Sequence, residues 1–263
     1  MAAECAVHGA YTGRGYRFSA GGRGVSSRGE GGLEESGDRH ERVVWGGCPM
    51  CLAQGDAARQ ARAEAVRLAR ERDVLEERLE RSCLPKRFVG KTFESFLCSY
   101  PTQERVLHLA MGYVRDFGWN ASRGLGLIFL GGVGTGKSHL AAAILQAVMR
   151  THQGLYVTVA DVVRMVRGTW RRDSGCSEAQ MIGKLVGVDL LVIDEVGKQY
   201  GTEGEEHILF DVLDGRYREM RPTILLGNVT AAELPLYVGE RAADRLRETN
   251  TAVVFDWGSY RRG

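Results

Sequence analysis

The sequence predicts an α/β fold in which a parallel sheet is covered by helices, with a smaller region of different character in front of it. Three observations predict it. Short apolar, β-branched runs at 125–130, 155–159, 190–193 and 223–226 alternate with helix-forming stretches, the rhythm of strand–helix–strand units. A glycine-rich octapeptide joins the first of these runs directly to the helix-forming stretch 138–150. Residues 1–55, in contrast, are dominated by glycine, arginine and serine between Gly13 and Gly37 and show no hydrophobic period.

Length and charge narrow the class further. A chain of 263 residues holds one principal α/β domain and an appendage. A net charge of +2, from 35 basic and 33 acidic side chains, is too small to argue for nucleic-acid binding from total charge, so any DNA site must come from local clustering. No run of about 18 apolar residues is present to span a bilayer, and the start lacks the charged-then-apolar layout of a secretion signal. The expectation is a soluble, cytoplasmic protein with no membrane partner. Six cysteines in such a chain point to thiols and metal ligands rather than a disulfide framework. Cys83, Cys98 and Cys176 stand singly and read as core or surface thiols.

Three regions follow from the chain in order: residues 1–55 as a metal-binding module with a flexible loop, 56–85 as an amphipathic helix and linker, and 86–263 as the nucleotide-binding domain. In the second, Ala61, Ala65, Leu68, Leu75 and Leu79 recur at three-four spacing among alternating arginine and glutamate, which predicts a solvated helix over 56–82. A stripe so rich in alanine and broken by Arg72 fits packing on its own domain or a partner better than a long coiled coil. Pro85 closes it, and a further helix is expected from about 102 to 117.

Gly131-Gly132-Val133-Gly134-Thr135-Gly136-Lys137-Ser138 fits GxxxxGK[ST] at every position and lies between a strand and a helix, the context that gives the motif meaning. Glycines let successive backbone N–H groups curl around phosphates, and the helix N-terminus adds partial positive charge. Lys137 is placed to reach the β- and γ-phosphates of ATP, and the Ser138 hydroxyl to ligate magnesium. The run 190–193 ends in Asp194 and Glu195, which delivers both carboxylates to the edge of the sheet where the phosphates lie. Asp194 suits magnesium, held through water. Glu195 suits the attacking water, and its presence separates a hydrolase from a simple nucleotide binder. Asn228, just past the run 223–226, either reaches the γ-phosphate or forms a turn.

Cys5 and His8 form one ligand pair, Cys48 and Cys51 another, each spaced to clasp one ion from a tight turn. Together they make a four-coordinate set of three cysteines and one histidine, for which zinc is the natural ion. His40 competes with His8 for the fourth place.

The combined motifs resemble the helicase-loader branch of AAA+ ATPases, the DnaC-like proteins, with the transposition helper IstB as a close relative. The resemblance rests on Lys91-Thr92-Phe93, the loop 131–138, Asp189 through Gly197, Gly215-Arg216-Tyr217, Arg221-Pro222-Thr223, Asn228, the block Gly239-Glu240-Arg241-Ala242-Ala243-Asp244-Arg245-Leu246, and Phe255 through Arg261. It implies an AAA+ core in which Asn228 is the sensor, Arg245 the arginine finger offered to a neighbouring subunit and Arg261 the second sensor, with Arg241 competing for the finger. Gly227 departs from the family pattern, which places a serine before the sensor. The C-x-x-H-G and C-P-x-C pairs are similar to the amino-terminal region of phage and prophage members, where helicase docking is expected. The resemblance also implies that the segment 161–172 lines a DNA path through Arg164, Arg167, Arg171 and Arg172; a solvated helix face is the other reading of those arginines.

Two functions share this core. One is an ATP-hydrolysing loader that, as a homo-oligomer in the ATP state, places a hexameric replicative helicase on single-stranded DNA during replication initiation. The other is an IstB-like transposition helper that assembles on duplex DNA. The metal pairs and the helix favour the loader. A nucleotide kinase would need an acceptor-binding lid and has no use for a sensor followed by an arginine-finger block.

Overall fold

The computed structural model describes residues 2–12, 15–18, 33–35, 42–45, 47–171, 173–198 and 203–260. Arg172, Arg261 and His40 lie outside the described residues. The chain divides into two compact units, Met1–Glu71 and Arg72–Gly263.

In the first unit, β1 (Ala2–Cys5) and β2 (Gly9–Thr12) form an antiparallel hairpin with Cys5 paired to Gly9 across the turn. The turn needs a left-handed residue, which Gly9 supplies at φ 72°. A second antiparallel sheet has the order β3-β5-β4, from β3 (Gly15–Phe18), β4 (Leu33–Glu35) and β5 (Arg42–Trp45). These strands fall where no hydrophobic period is visible; the only local cues are the aromatic and β-branched residues of Gly15–Phe18 and Arg42–Trp45. The long helix α1 runs Pro49–Arg81, so it begins seven residues before the expected start at 56. Proline is favoured at the first helical position, and Pro49 stands there. Cys48, just before α1, is buried.

The second unit carries the predicted parallel sheet. Among the described residues its strands are β6 (Gly126–Gly131), β7 (Gly154–Thr158), β8 (Leu190–Val196), β9 (Thr223–Gly227) and β10 (Asn250–Phe255), in the order β10-β6-β9-β8-β7, all parallel. The edge strand β10 is the one strand of this sheet that the apolar runs did not mark. Its sequence carries the signal, in Thr251, Val253, Val254 and Phe255, but half of its side chains are exposed and no continuous apolar run results.

Helices cover both faces. The helices are α2 (Pro101–Arg115), α3 (Phe117–Ala121), α4 (Lys137–Val148), α5 (Val159–Gly168), α6 (Glu178–Gly187), α7 (Glu203–Arg218), α8 (Pro235–Val238) and α9 (Glu240–Thr249). Alternation along β6 divides the core: Leu127 and Phe129 pack with α2 and α4, while Ile128 and Leu130 pack with α5, α7 and α9. Burying each such side chain contributes about 1.5–3 kcal/mol, which is why sheet strands sealed on both faces read as unbroken apolar runs. Leu75 and Leu79, on the last turns of α1, pack against the first of these cores.

Arg216 is a buried structural staple. Its guanidinium donates to the carbonyls of Leu185, Val186 and Val188 at 2.9 Å each, to Pro222 O at 2.6 Å and to Thr223 Oγ1 at 2.9 Å. It thereby ties the end of α6 to the start of β9, with its donors satisfied largely by backbone carbonyls. No helix among the described residues is long and apolar enough to cross a membrane.

Candidate functional site

The phosphate loop joins β6 to α4, and its glycines do what the motif requires of them. Gly131 adopts φ 135° and Gly136 φ 97°, and a Cβ on Gly136 would lie 2.7 Å from the Phe96 ring. No side chain caps the start of α4, so the first-turn N–H groups meet whatever sits over the loop. The Lys137 ammonium is buried and donates to Gly131 O at 2.8 Å and Gly132 O at 2.6 Å, which extends the side chain back along the loop. Burial pulls the Lys137 pKa below the usual lysine value, and the charge of Asp194 opposes that shift.

Asp194 and Glu195 stand at the end of β8, where the pairing with β9 slips between Ile193 and Val196. Such a bulge re-aims side chains, and Glu195 takes up its consequence at φ 64°, a left-handed conformation uncommon for a non-glycine residue. Asp194 is fixed by three donors. Ser138 Oγ donates to Oδ2 at 2.8 Å, Tyr156 OH donates to the same oxygen, and Glu195 N donates to Oδ1 at 2.6 Å. Glu195 is exposed, and its Oε1 accepts from Lys198 Nζ at 2.7 Å.

These residues line one cleft of about 610 Å³. Gly134, Thr135, Gly136, Lys137, Ser138, Asp194, Glu195 and Asn228 all face it, as does Val133 of the loop; Asn228 is exposed at its position just past β9. The rest of the lining comes from outside the phosphate loop and β8. Phe88, Lys91, Phe96 and Leu97 close one side from the connector before α2. Tyr260 joins that side, its N–H donating to Gly134 O at 3.0 Å, its hydroxyl to Leu97 O at 2.6 Å and its ring 6.0 Å from that of Phe96. Trp257 Nε1 donates to Thr135 O at 2.9 Å, so the segment after β10 is pinned to the loop. The Trp257–Tyr260 block is visible as a motif, but nothing local tells that it folds back onto residues more than 120 positions earlier. A cleft with a glycine cradle, a buried ammonium and a hydroxyl–carboxylate pair fits a nucleoside triphosphate and its magnesium ion.

The arginines divide. On α9, Arg241 is exposed, whereas Arg245 is half-buried, ion-paired with Asp214 of α7 and seated over the rings of Phe210 and Tyr217 at 5.5 and 5.2 Å. Arg218 also reaches Asp214, at 3.0 Å. On α5, Arg164 pairs with Asp161 at 2.6 Å and Arg167 with Glu205 at 3.6 Å. Arg171 is exposed beside Trp170, whose indole N–H donates to Glu178 at 2.6 Å.

In the first unit the hairpin turn and the start of α1 bring the four proposed ligands together. The sulfurs of Cys5, Cys48 and Cys51 and a ring nitrogen of His8 all lie within 4.8 Å of one another. His8 Nδ1 is 3.3 Å from Cys51 Sγ and 3.8 Å from the sulfurs of Cys5 and Cys48, and Cys5 Sγ is 3.6 Å from Cys51 Sγ. Tetrahedral zinc with ordinary bond lengths needs edges of about 3.8 Å between sulfurs and about 3.6 Å from sulfur to nitrogen, so the donor set fits. Backbone N–H groups of Val7 and His8 bring the Cys5 thiol down to about 6, while Cys51, hydrogen-bonded to Cys5, is pushed up to about 11. Cys51 sits in the first turn of α1, and Gln54, one turn on, places its amide 3.3 Å from His8 Nε2. Sequence reasoning misses Gln54 because an amide three residues after a C-x-x-C pair has no ligand signature of its own.

Comparison with known proteins places these features. The family described as IstB-like ATP binding protein matches residues 64–260. The chain is similar to the replicative helicase loader DnaC of Escherichia coli (strain K12), 40% identical over 172 residues that cover 65% of this chain and 69% of that protein. It is also similar to the replicative helicase loader DnaC of Buchnera aphidicola subsp. Schizaphis graminum (strain Sg), 33% identical over 207 residues, 77% of this chain and 83% of that one. Among solved structures the fold is similar to the crystal structure of the DnaC helicase loader, with a TM-score of 0.58 at 24% identity, covering 65% of this chain and 99% of that one.

Proposed function

The chain belongs to the IstB-like ATP-binding family, and from that premise we propose that it is an ATP-hydrolysing loader that places a hexameric replicative helicase on single-stranded DNA. The observation that carries the catalytic half is the meeting of Lys137, Ser138, Asp194 and Glu195 in one cleft. The relatives named as helicase loaders, at 40% and 33% identity, weigh the choice toward loading and away from transposition.

In this function Gly131 through Ser138 cradle the phosphates and Lys137 neutralises them. Ser138 and Asp194 would hold a magnesium ion, which would supply charge neutralisation to the nucleotide. Glu195 takes the proton of the attacking water, Asn228 orients that water, and Arg261 serves as the second sensor. Arg245 comes from an adjacent copy of the chain to meet the transferring phosphate. Arg164, Arg167, Arg171 and Arg172 form the DNA-contacting side.

The first unit is the helicase-docking end, and zinc held by Cys5, His8, Cys48 and Cys51 keeps it folded. Support comes from the four ligand atoms, which lie within 4.8 Å of one another, the arrangement by which a metal staples a small unit. Pull-down with the replicative helicase of the same genome tests the assignment. Retention by the full chain, lost when residues 1–71 are zinc-stripped, is the expected result. No retention by the zinc-loaded chain would reject it.

A further inference from the structure

We infer that Tyr156 is a positioning residue for Asp194, holding that carboxylate in the orientation from which it serves the nucleotide's magnesium ion. The inference deepens the nucleotide-site reading and rests on it. Tyr156 lies in the middle of β7, paired with Val192 of β8, two residues before the Thr158–Asp194 pair. Its side chain is buried on the α4 face of the sheet, its ring 6.1 Å from that of Phe88, and it lines the cleft. There it donates to Asp194 Oδ2.

Asp194 takes one bond on Oδ1, from the N–H of Glu195, and two on Oδ2, from Ser138 and Tyr156. The Glu195 bond alone leaves the carboxylate free to swing about its χ2 torsion, which is soft for an aspartate. Ser138 uses an oxygen lone pair when it ligates a cation and keeps its proton for Oδ2, so its hydrogen bond must adjust to the cation's position. Tyr156 has no ligand role, so its bond to Oδ2 has the same partners whether or not a cation is bound. A buried tyrosine that merely satisfies its own hydroxyl would produce the same hydrogen bond. The two roles differ in what they do to metal dependence.

The test is Tyr156→Phe, which keeps the ring and removes the donor. Partners that orient metal ligands are worth about 10- to 100-fold in metal affinity. The magnesium concentration for half-maximal binding of fluorescent ATP is therefore expected to rise about tenfold, while fluorescent ADP binding in EDTA stays unchanged. In an Asp194→Asn background the same change is expected to have no further effect on magnesium dependence. An unchanged magnesium midpoint, or an equal loss of nucleotide affinity with and without magnesium, would overturn the positioning role. Equal ATP binding by the wild type and Lys137→Ala would instead overturn the nucleotide-site reading beneath it.

Discussion

Ser138 Oγ donates to Asp194 Oδ2 at 2.8 Å, bridging two residues 56 positions apart in the chain. That bond joins the helix end of the phosphate loop to the carboxyl end of β8. It puts a hydroxyl and a carboxylate side by side, the pairing that a magnesium–nucleotide complex uses.

The first prediction concerns nucleotide chemistry. Lys137→Ala is expected to abolish ATP binding, because the loop loses its buried cation. Glu195→Gln is expected to keep binding and lose turnover by about 10²- to 10⁴-fold, the usual worth of a general base. Nucleotide titration and phosphate release on each variant separate the two roles. Normal turnover by Glu195→Gln would remove it from the water.

The second concerns metal. Protein purified without chelator is expected to carry about one zinc per chain, and Cys48→Ser to lose it. Stripping the metal is expected to abolish amide protection in residues 1–71 and to leave the thermal transition of 72–263 in place. Gln54→Ala is expected to weaken zinc binding by about 10-fold or more, since it removes the partner of His8 Nε2. Elemental analysis that finds no metal would reject the site.

Much of this is legible in sequence, and the limits have physical causes. The runs that form β6, β7, β8 and β9 announce themselves because both faces of the sheet are sealed. Strand β10 escapes because half its side chains meet solvent. The phosphate loop and Asp194–Glu195 are readable from spacing because their chemistry is local. Tyr156, Phe96, Trp257 and Tyr260 are not, since each enters the cleft or braces its loop through tertiary packing. The left-handed Glu195 depends on a register slip between two strands, which no single strand reveals.

The third concerns DNA. Arg164 and Arg167 already face carboxylates, while Arg171 is exposed beside Trp170. Replacing Arg171 and Arg172 with Ala is expected to weaken single-strand binding and flatten its salt dependence, by about 0.7 in slope for each arginine that neutralises a phosphate. Equal affinity for wild type and variant at two salt concentrations would make this a solvated helix face.

The fourth concerns assembly. Arg245 is tied to Asp214 in the single chain, so service in trans requires that ion pair to open at a subunit interface. Lys137→Ala and Arg245→Ala proteins are each expected to be inactive alone, one without nucleotide and the other without its finger. Mixed, they are expected to regain part of the ATPase activity, because some interfaces then pair an intact loop with an intact arginine. No rescue in mixed oligomers shown to form would move the finger to Arg241.

The most direct test of loading is unwinding by the replicative helicase of the same genome on a primed, circular single-stranded template, which offers a ring-shaped helicase no free end to thread. Unwinding that depends on this chain, and that fails with a variant lacking the ligands Cys48 and Cys51, is the predicted result. Equal unwinding with and without the chain, with the chain bound to duplex DNA instead, would contradict the loader and favour the transposition helper.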